Sequence, residues 1–264
     1  MNFNVLSVTS NVVMSFTRMP LIWGGIILSC FSLLSPSIAF SDTVNIVSPH
    51  TIPPYVIEQS SSGIQLEIVE TSMLNAGHTA KISYASNERG LNLLQTKSVD
   101  GMINVPPNIP NIFYSDSVIE YQNGAVALKS SGLKLASISD LSTLRVVSFQ
   151  NASKYFSAEY REMASNNTKY DELVSQFAQL QMLFNQRCDV IVIDKRIFSY
   201  FLDLNQNEKG FDSPVVFYDI IPSSPRLVAF TSETLRDEFN AGLAELKASG
   251  RYQKIIDSYV DDTL

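Results

Sequence analysis

The stretch 189-DVIVIDKRIF-198 sets an acid at each end of an unbroken apolar run. A run of this length, without polar alternation, suits a strand buried on both faces, and such strands belong to sheets covered by helices. Open sheets of that kind gather ligand-contacting groups at the carboxyl ends of their strands, which is where Asp194 stands. The continuation 195-KRIFSYFL-202 reads as a helix. Asp is a favoured N-cap residue, so Asp194 has two readings. It caps that helix, or it meets a ligand, and one carboxylate can do both. Asp189 reads as the group that fixes the turn into the strand.

Working outward, apolar runs alternate with helical patterns. Upstream of Asp189, 145-RVVSF-149 reads as a strand. A helix is expected over 151-NASKYFSAEYREMA-164, capped by Asn151 or Ser153, and another over 171-DELVSQFAQLQMLFNQ-186, with Leu173, Phe177, Leu180 and Phe184 at helical spacing. Downstream come a strand, 215-VVFYD-219, and a helix over 232–249 with Ser232 as cap and Gly250 as stop. A last helix starts at Arg251. The first half repeats the theme. Strand 44-VNIVS-48 leads through the turn 51-TIPPY-55 to a helix, 64-IQLEIVETSML-74. Strand 81-KISYA-85, a helix over 87–97 capped by Asn87, and strand 100-DGMINV-105 follow. That is β-α-β-α-β, the unit of a parallel sheet. Two such units in tandem imply two lobes with a cleft between them. The expected links are 123-NGAVALK-129 outward and 225-PRLVAF-230 back, with the C-terminal helices on the first lobe.

The chain has 264 residues, 45% hydrophobic and 17% charged, an ordinary globular composition. Residues 1–39 carry one charge, Arg18. It precedes an apolar stretch, Pro36, and small residues ending at Ala39, the order of a secretory signal peptide cut near Ala39. The competing readings are a retained anchor, for which the apolar run is short and interrupted, and a lipid-bearing Cys30, whose surroundings fit poorly. Without those 39 residues, 18 basic face 26 acidic groups, a formal charge of about −8. No basic cluster exists, which argues against nucleic acid and anionic membrane as partners. Cys188 would be the one remaining cysteine and reads as a buried apolar residue. His50 and His78 lack a partner at metal spacing, so no metal or cofactor is expected.

Several segments together resemble the bacterial family 3 extracellular solute-binding proteins, the polar amino-acid type of periplasmic binding protein. They are the Pro-Pro-Tyr turn followed by a Gly entering a helix, 98-SVDGMI-103, 113-FYSDSVIEYQNGAVALK-129, 139-SDLSTLRVVSFQNASKY-155, 187-RCDVIVID-194 and 239-FNAGLAELKASGRYQKIIDSY-259. The resemblance covers roughly residues 42–262. It implies an α/β, two-lobed type II periplasmic-binding-protein fold that closes on a small ligand by a hinge. On that pattern residues 1–39 are the signal peptide, 40–127 and 225–264 form lobe 1, and 128–224 form lobe 2.

The resemblance also implies the site. Tyr55 takes the place of the aromatic that packs on the ligand. Asn104 takes that of a polar strand-end residue, and Gln150 and Asn151 with Ala152 that of a helix-start loop whose free N–H groups favour an anion or carbonyl. Asp194 takes the place of the acid that pairs with an ammonium. One position departs: the turn 105-VPPNIPNIFYSD-116 has no Arg or Lys, and Asn108 falls where a carboxylate-clamping Arg would be. An amide cannot replace a guanidinium there. Either the carboxylate is held elsewhere or the ligand is not an ordinary α-amino acid, and the second reading is favoured: the expected ligand is a small polar solute, an amino acid or a related amine-containing molecule, with a cationic or polyhydroxylated one fitting Tyr55, Asp194 and the amides. Each of these residues also has a structural reading: Tyr55 closing its turn, Asn104 and Asn108 forming turns. The implied role is a periplasmic, monomeric, non-enzymatic binding protein serving an ABC-type permease. The alternatives are a sensory protein docking on a membrane receptor, or a dehydratase-like enzyme on the same fold.

Overall fold

In the computed structural model, which describes residues 42–205 and 210–260, the chain begins with β1 (Asp42–Ser48), α1 (Ile64–Asn75), β2 (His78–Tyr84), α2 (Asn87–Gln95) and β3 (Gly101–Ile103). The expected signal peptide lies outside the described residues. Short strands β4 (Phe113–Tyr114) and β5 (Ile119–Tyr121) lead to β6 (Asn123–Leu128) and β7 (Val146–Phe149). Then come α3 (Ala152–Tyr155), α4 (Ala158–Asn166), β8 (Tyr170–Leu173), α5 (Gln176–Phe184), β9 (Val190–Asp194), α6 (Lys195–Leu204) and β10 (Val215–Tyr218). The chain returns through β11 (Ser224–Arg226) and β12 (Val228–Phe230) to α7 (Glu233–Ala248) and α8 (Arg251–Asp257).

Two five-stranded sheets result, ordered β2-β1-β3-β12-β4 and β10-β6-β9-β7-β8. β1 runs parallel to β2 and β3, and β7 parallel to β8 and β9, as the βαβ units require. β12 and β6 enter their sheets antiparallel. β9 is the middle strand of the second sheet and every residue of it is buried, which is what its apolar run demands. Between the sheets lies a separate two-stranded ribbon, β5 with β11. In its register Ile119 faces Arg226 and Tyr121 faces Ser224, so all four side chains share one face and Glu120 lies on the other.

Helices α7 and α8 pack against α1. The approach of α7 is close: a Cβ on Gly242 would sit 2.1 Å from the Ser72 carbonyl oxygen. Asp189 anchors the start of β9 as expected. Its Oδ2 accepts the Arg145 backbone N–H at 2.8 Å and its Oδ1 accepts the Arg145 guanidinium at 2.6 Å. Cys188 is buried, and burial pushes its thiol up to about 12, leaving it protonated.

Several local expectations are corrected. The stretch 171–186 is not one helix. Its first residues belong to β8, pairing with β7, and α5 starts only after Ser175, whose hydroxyl accepts the Ala178 N–H. The exposed N–H and C=O edge of β7 claims those residues, and a helical spacing of apolar side chains cannot outweigh a sheet ladder. The helix expected over 151–164 breaks at Phe156, and Ser157 caps a new one. Ser86, not Asn87, caps α2. The stretch 123–129, read as an outward link, forms β6 inside the second sheet, and the ribbon precedes it.

Candidate functional site

Tyr55 is placed by the turn that follows β1. The Pro54 and Tyr55 carbonyls accept the first N–H groups of α1, from Ile64 and Gln65, at 2.9 and 3.0 Å. These are helix N-terminal donors with no intrahelical partner, so the turn is fixed to the helix start. Gly63 makes the approach possible. It has φ +127, and a Cβ there would lie 2.4 Å from the Tyr55 carbonyl oxygen. The Tyr55 side chain is fully buried. Its ring stacks on Tyr121 of the ribbon, with centroids 4.0 Å apart and planes at 22°. Such a pair adds about 0.5–1.5 kcal/mol beyond its buried area.

The Tyr55 hydroxyl donates to Asp194 Oδ1 at 2.8 Å. The bond joins the turn after β1, in the first sheet's lobe, to the end of β9 in the second. Burial first, and the Asp194 charge second, push the Tyr55 pKa well up, so the phenol stays a donor. Asp194 Oδ1 also accepts the N–H groups of Arg196 and Ile197, at 3.0 and 3.1 Å. Asp194 therefore caps α6 and meets the first lobe with the same oxygen. Its other oxygen, Oδ2, is buried without a hydrogen-bond partner. Asp194 is 2% exposed, and burial raises its pKa to about 6 against the hydrogen bonds and the Arg196 charge that lower it.

Polar groups surround the stacked rings. Gln65 and Asn104 exchange amide hydrogen bonds, Gln65 Nε2 donating at 2.8 Å and Asn104 Nδ2 at 3.2 Å. Asn104 takes φ +60, a left-handed conformation that Asn tolerates, so it forms its turn and faces the site together. The Tyr121 hydroxyl donates to Gln65 Oε1 at 3.4 Å. The Arg226 guanidinium carbon lies 4.2 Å from the Tyr121 ring centroid, a cation–π contact. Sequence reasoning singled out Tyr55, Asn104 and Asp194 but missed Gln65, Tyr121 and Arg226. The available signal was period-2 alternation along 119–121 and 224–226, which sends Tyr121 and Arg226 to one face.

Gln150 and Asn151 follow β7, which runs parallel to β9 beside it, so they leave the sheet at the same carboxyl edge as Asp194, while Asn108 lies in the turn after β3. Asn108 is exposed with φ +65, a turn former, and Gln150 is exposed. Neither makes a hydrogen bond to Tyr55 or Asp194 among the described residues. The loop at Asn151 does hold an anion, one supplied by the chain. Glu172 of β8 accepts the Asn151 N–H at 2.6 Å, the Ser153 N–H at 2.9 Å and the Tyr170 hydroxyl at 2.8 Å. Partial burial works to raise the Glu172 pKa, but these hydrogen bonds outweigh it and hold it low. His50 pairs with Glu58 at 2.8 Å on the surface. Among the described residues no group of three or more His, Cys, Asp or Glu side chains is placed to hold a metal ion. An open cavity of about 540 Å³ lies at Glu120 and Gln122, on the opposite face of the ribbon, and neither Tyr55 nor Asp194 lines it.

No family model matches the chain, and no curated protein sequence does. Solved structures do. A histidine kinase sensor domain with similarity to periplasmic binding proteins superposes with a TM-score of 0.62 at 17% identity, over 83% of this chain and 96% of its own. Substrate-binding domain 2 of Lactococcus lactis GlnP, in an open conformation, gives 0.61 at 18% identity, over 83% and 96%. An ancestral arginine-binding protein bound to arginine gives 0.60 at 19%, over 82% and 97%. This chain has the two-lobed periplasmic-binding-protein fold. At these identities the likeness establishes the architecture, and the two sheets with the β5–β11 ribbon between them are its two lobes and the crossing that joins them. Among the described residues no helix is long and apolar enough to cross a membrane.

Proposed function

We propose that the chain is an exported, periplasmic solute-binding protein that closes on a small polar ligand carrying a cationic nitrogen. The observation that carries this reading is Asp194 Oδ2, an acid oxygen buried between the lobes with no partner. A buried, unsatisfied carboxylate oxygen is costly, and a ligand ammonium or guanidinium is the complement that removes the cost. Tyr55 and Tyr121 supply aromatic surface beside it, and Gln65 and Asn104 supply amide groups. Tyr55 sits directly on Asp194, so entry requires the lobes to part at the ribbon. In this reading residues 1–39 are a cleaved signal peptide, the closed form delivers its solute to an ABC-type permease, and the chain acts as a monomer without catalysis.

The fold shared with a histidine kinase sensor domain favours a second reading, in which the loaded protein docks on a membrane receptor. Both readings need the same ligand step. A thermal-shift screen of amines, amino acids, sugars and organic acids tests it, because a ligand bound only by folded protein raises the midpoint. Amine-containing solutes are expected to raise it, and Asp194→Ala to abolish the rise. Stabilisation by sugars or simple acids alone would overturn the reading. Recovery of chemically intact ligand after incubation separates binding from turnover.

A further inference from the structure

The inner face of the ribbon carries one charged side chain, Arg226, and we propose that it is the partner for a carboxylate on the ligand. This rests on Asp194 holding the ligand's nitrogen. It narrows the solute to one bearing both an amine and an acid.

Tyr121 is covered on both faces. Tyr55 stacks on one at 4.0 Å, and the Arg226 guanidinium lies 4.2 Å from the same centroid, which the Tyr55 ring leaves room for only on the other face. The Arg226 side chain makes no hydrogen bond or ion pair among the described residues, and its Nε is buried without a partner. A guanidinium held against a ring keeps its N–H groups directed outward from its edge. The edge formed by Nε and the neighbouring Nη is the fork that fits a carboxylate with two parallel hydrogen bonds. A buried charged donor left unpaired is costly, so the free protein is waiting for an acceptor there as it waits for a cation at Asp194 Oδ2.

The two places at which the sequence leads us to expect a ligand acid do not offer free donors. The turn 105–116 has no basic residue. The N–H groups of Asn151 and Ser153 are already taken by Glu172. Arg226 and Asp194 both act on the Tyr121 phenol, so the two charges border the same ring. A zwitterion can satisfy both, while a plain amine leaves Arg226 Nε as it is. A carboxylate without a nitrogen leaves Asp194 Oδ2 unmet.

Calorimetric titration of matched pairs tests this. The probes are L-lysine against cadaverine, L-arginine against agmatine, and γ-aminobutyrate against propylamine, each pair differing by one carboxylate. At least one acid-bearing member is expected to bind about 10–100-fold more tightly than its partner, the range for one charge-assisted contact. Arg226→Gln should bring that preference below about threefold. Arg226→Lys keeps the charge and loses the fork. It should lose most of the preference as well, and it serves if the glutamine variant does not fold. Equal binding within every pair by the unaltered protein, or a preference that survives both variants, overturns the assignment of Arg226 and leaves Asp194 standing. No binding by any probe overturns the Asp194 reading, and this inference with it.

Discussion

Replacing Asp194 with Asn should make the ligand-free protein more stable above neutral pH. The amide keeps an oxygen where Oδ1 accepts Tyr55, Arg196 and Ile197, so the helix cap and the bond between lobes survive. The negative charge goes. In the folded chain the Asp194 pKa is raised from 3.8 to about 6 by burial, and it is almost wholly enclosed. Two units at 1.36 kcal/mol each give about 3 kcal/mol of cost for holding the ionised form. The sign follows from linkage. With a folded pKa above the unfolded one, the acid's stabilising contribution is complete below about pH 4 and lost as pH rises through about 6. The Asp194→Asn variant, with no carboxyl to ionise there, would show no such loss. The stability difference between variant and parent should be near zero at pH 4 and about 3 kcal/mol at pH 8, or roughly 6–12 °C in midpoint for a unit of this size. Urea denaturation of both proteins from pH 4 to 8 measures it. Using the difference removes the opposite pH trend of Glu172 and Asp189, whose pKa values are lowered. A difference that is flat across pH, or a variant less stable at pH 8, would refute the burial argument. The same variant should lose amine affinity at least about tenfold, the expected trade between stability and function at a binding site.

Other expectations follow from the same contacts. Tyr55→Phe keeps the ring stack but removes a donor from Asp194, so unfolding should become easier by about 1–3 kcal/mol. Amine binding through Oδ2 should stay within about threefold in calorimetry. Glu172→Gln should cost roughly 1–2 kcal/mol at pH 7 by denaturant titration. Because the Glu172 pKa is lowered on folding, the cost should shrink as pH falls through that pKa. Gly242→Ala drives a methyl to 2.1 Å from the Ser72 carbonyl and should cost about 3 kcal/mol in thermal or chemical unfolding by pushing α7 off α1.

The β9 run was legible because a strand buried on both faces needs uninterrupted apolar residues, and no other element of that length does. Asp194 was legible for the same reason, as an acid at the strand's end. Its two readings proved compatible, since one oxygen caps α6 and bonds Tyr55 while the other is left over. Tyr170–Leu173 was not legible as strand, because what makes it one is the open edge of β7, a partner distant in sequence. Arg226 was hidden for a related reason. The turn 105–116 has no basic group, whereas the guanidinium comes to Tyr121 from a strand more than a hundred residues later, through ribbon pairing with Ile119. Local pattern reports what a segment prefers, and cross-strand pairing decides what it faces.

Glu172 has a consequence of its own. Its carboxylate is tethered through β8 to the amides of Asn151 and Ser153, so it occupies them at an effective concentration of millimolar order or higher. A metabolite acid at micromolar level must compete against a resident that never diffuses away. Occupation of that loop is thus a property of the polypeptide itself, unaffected by solute supply.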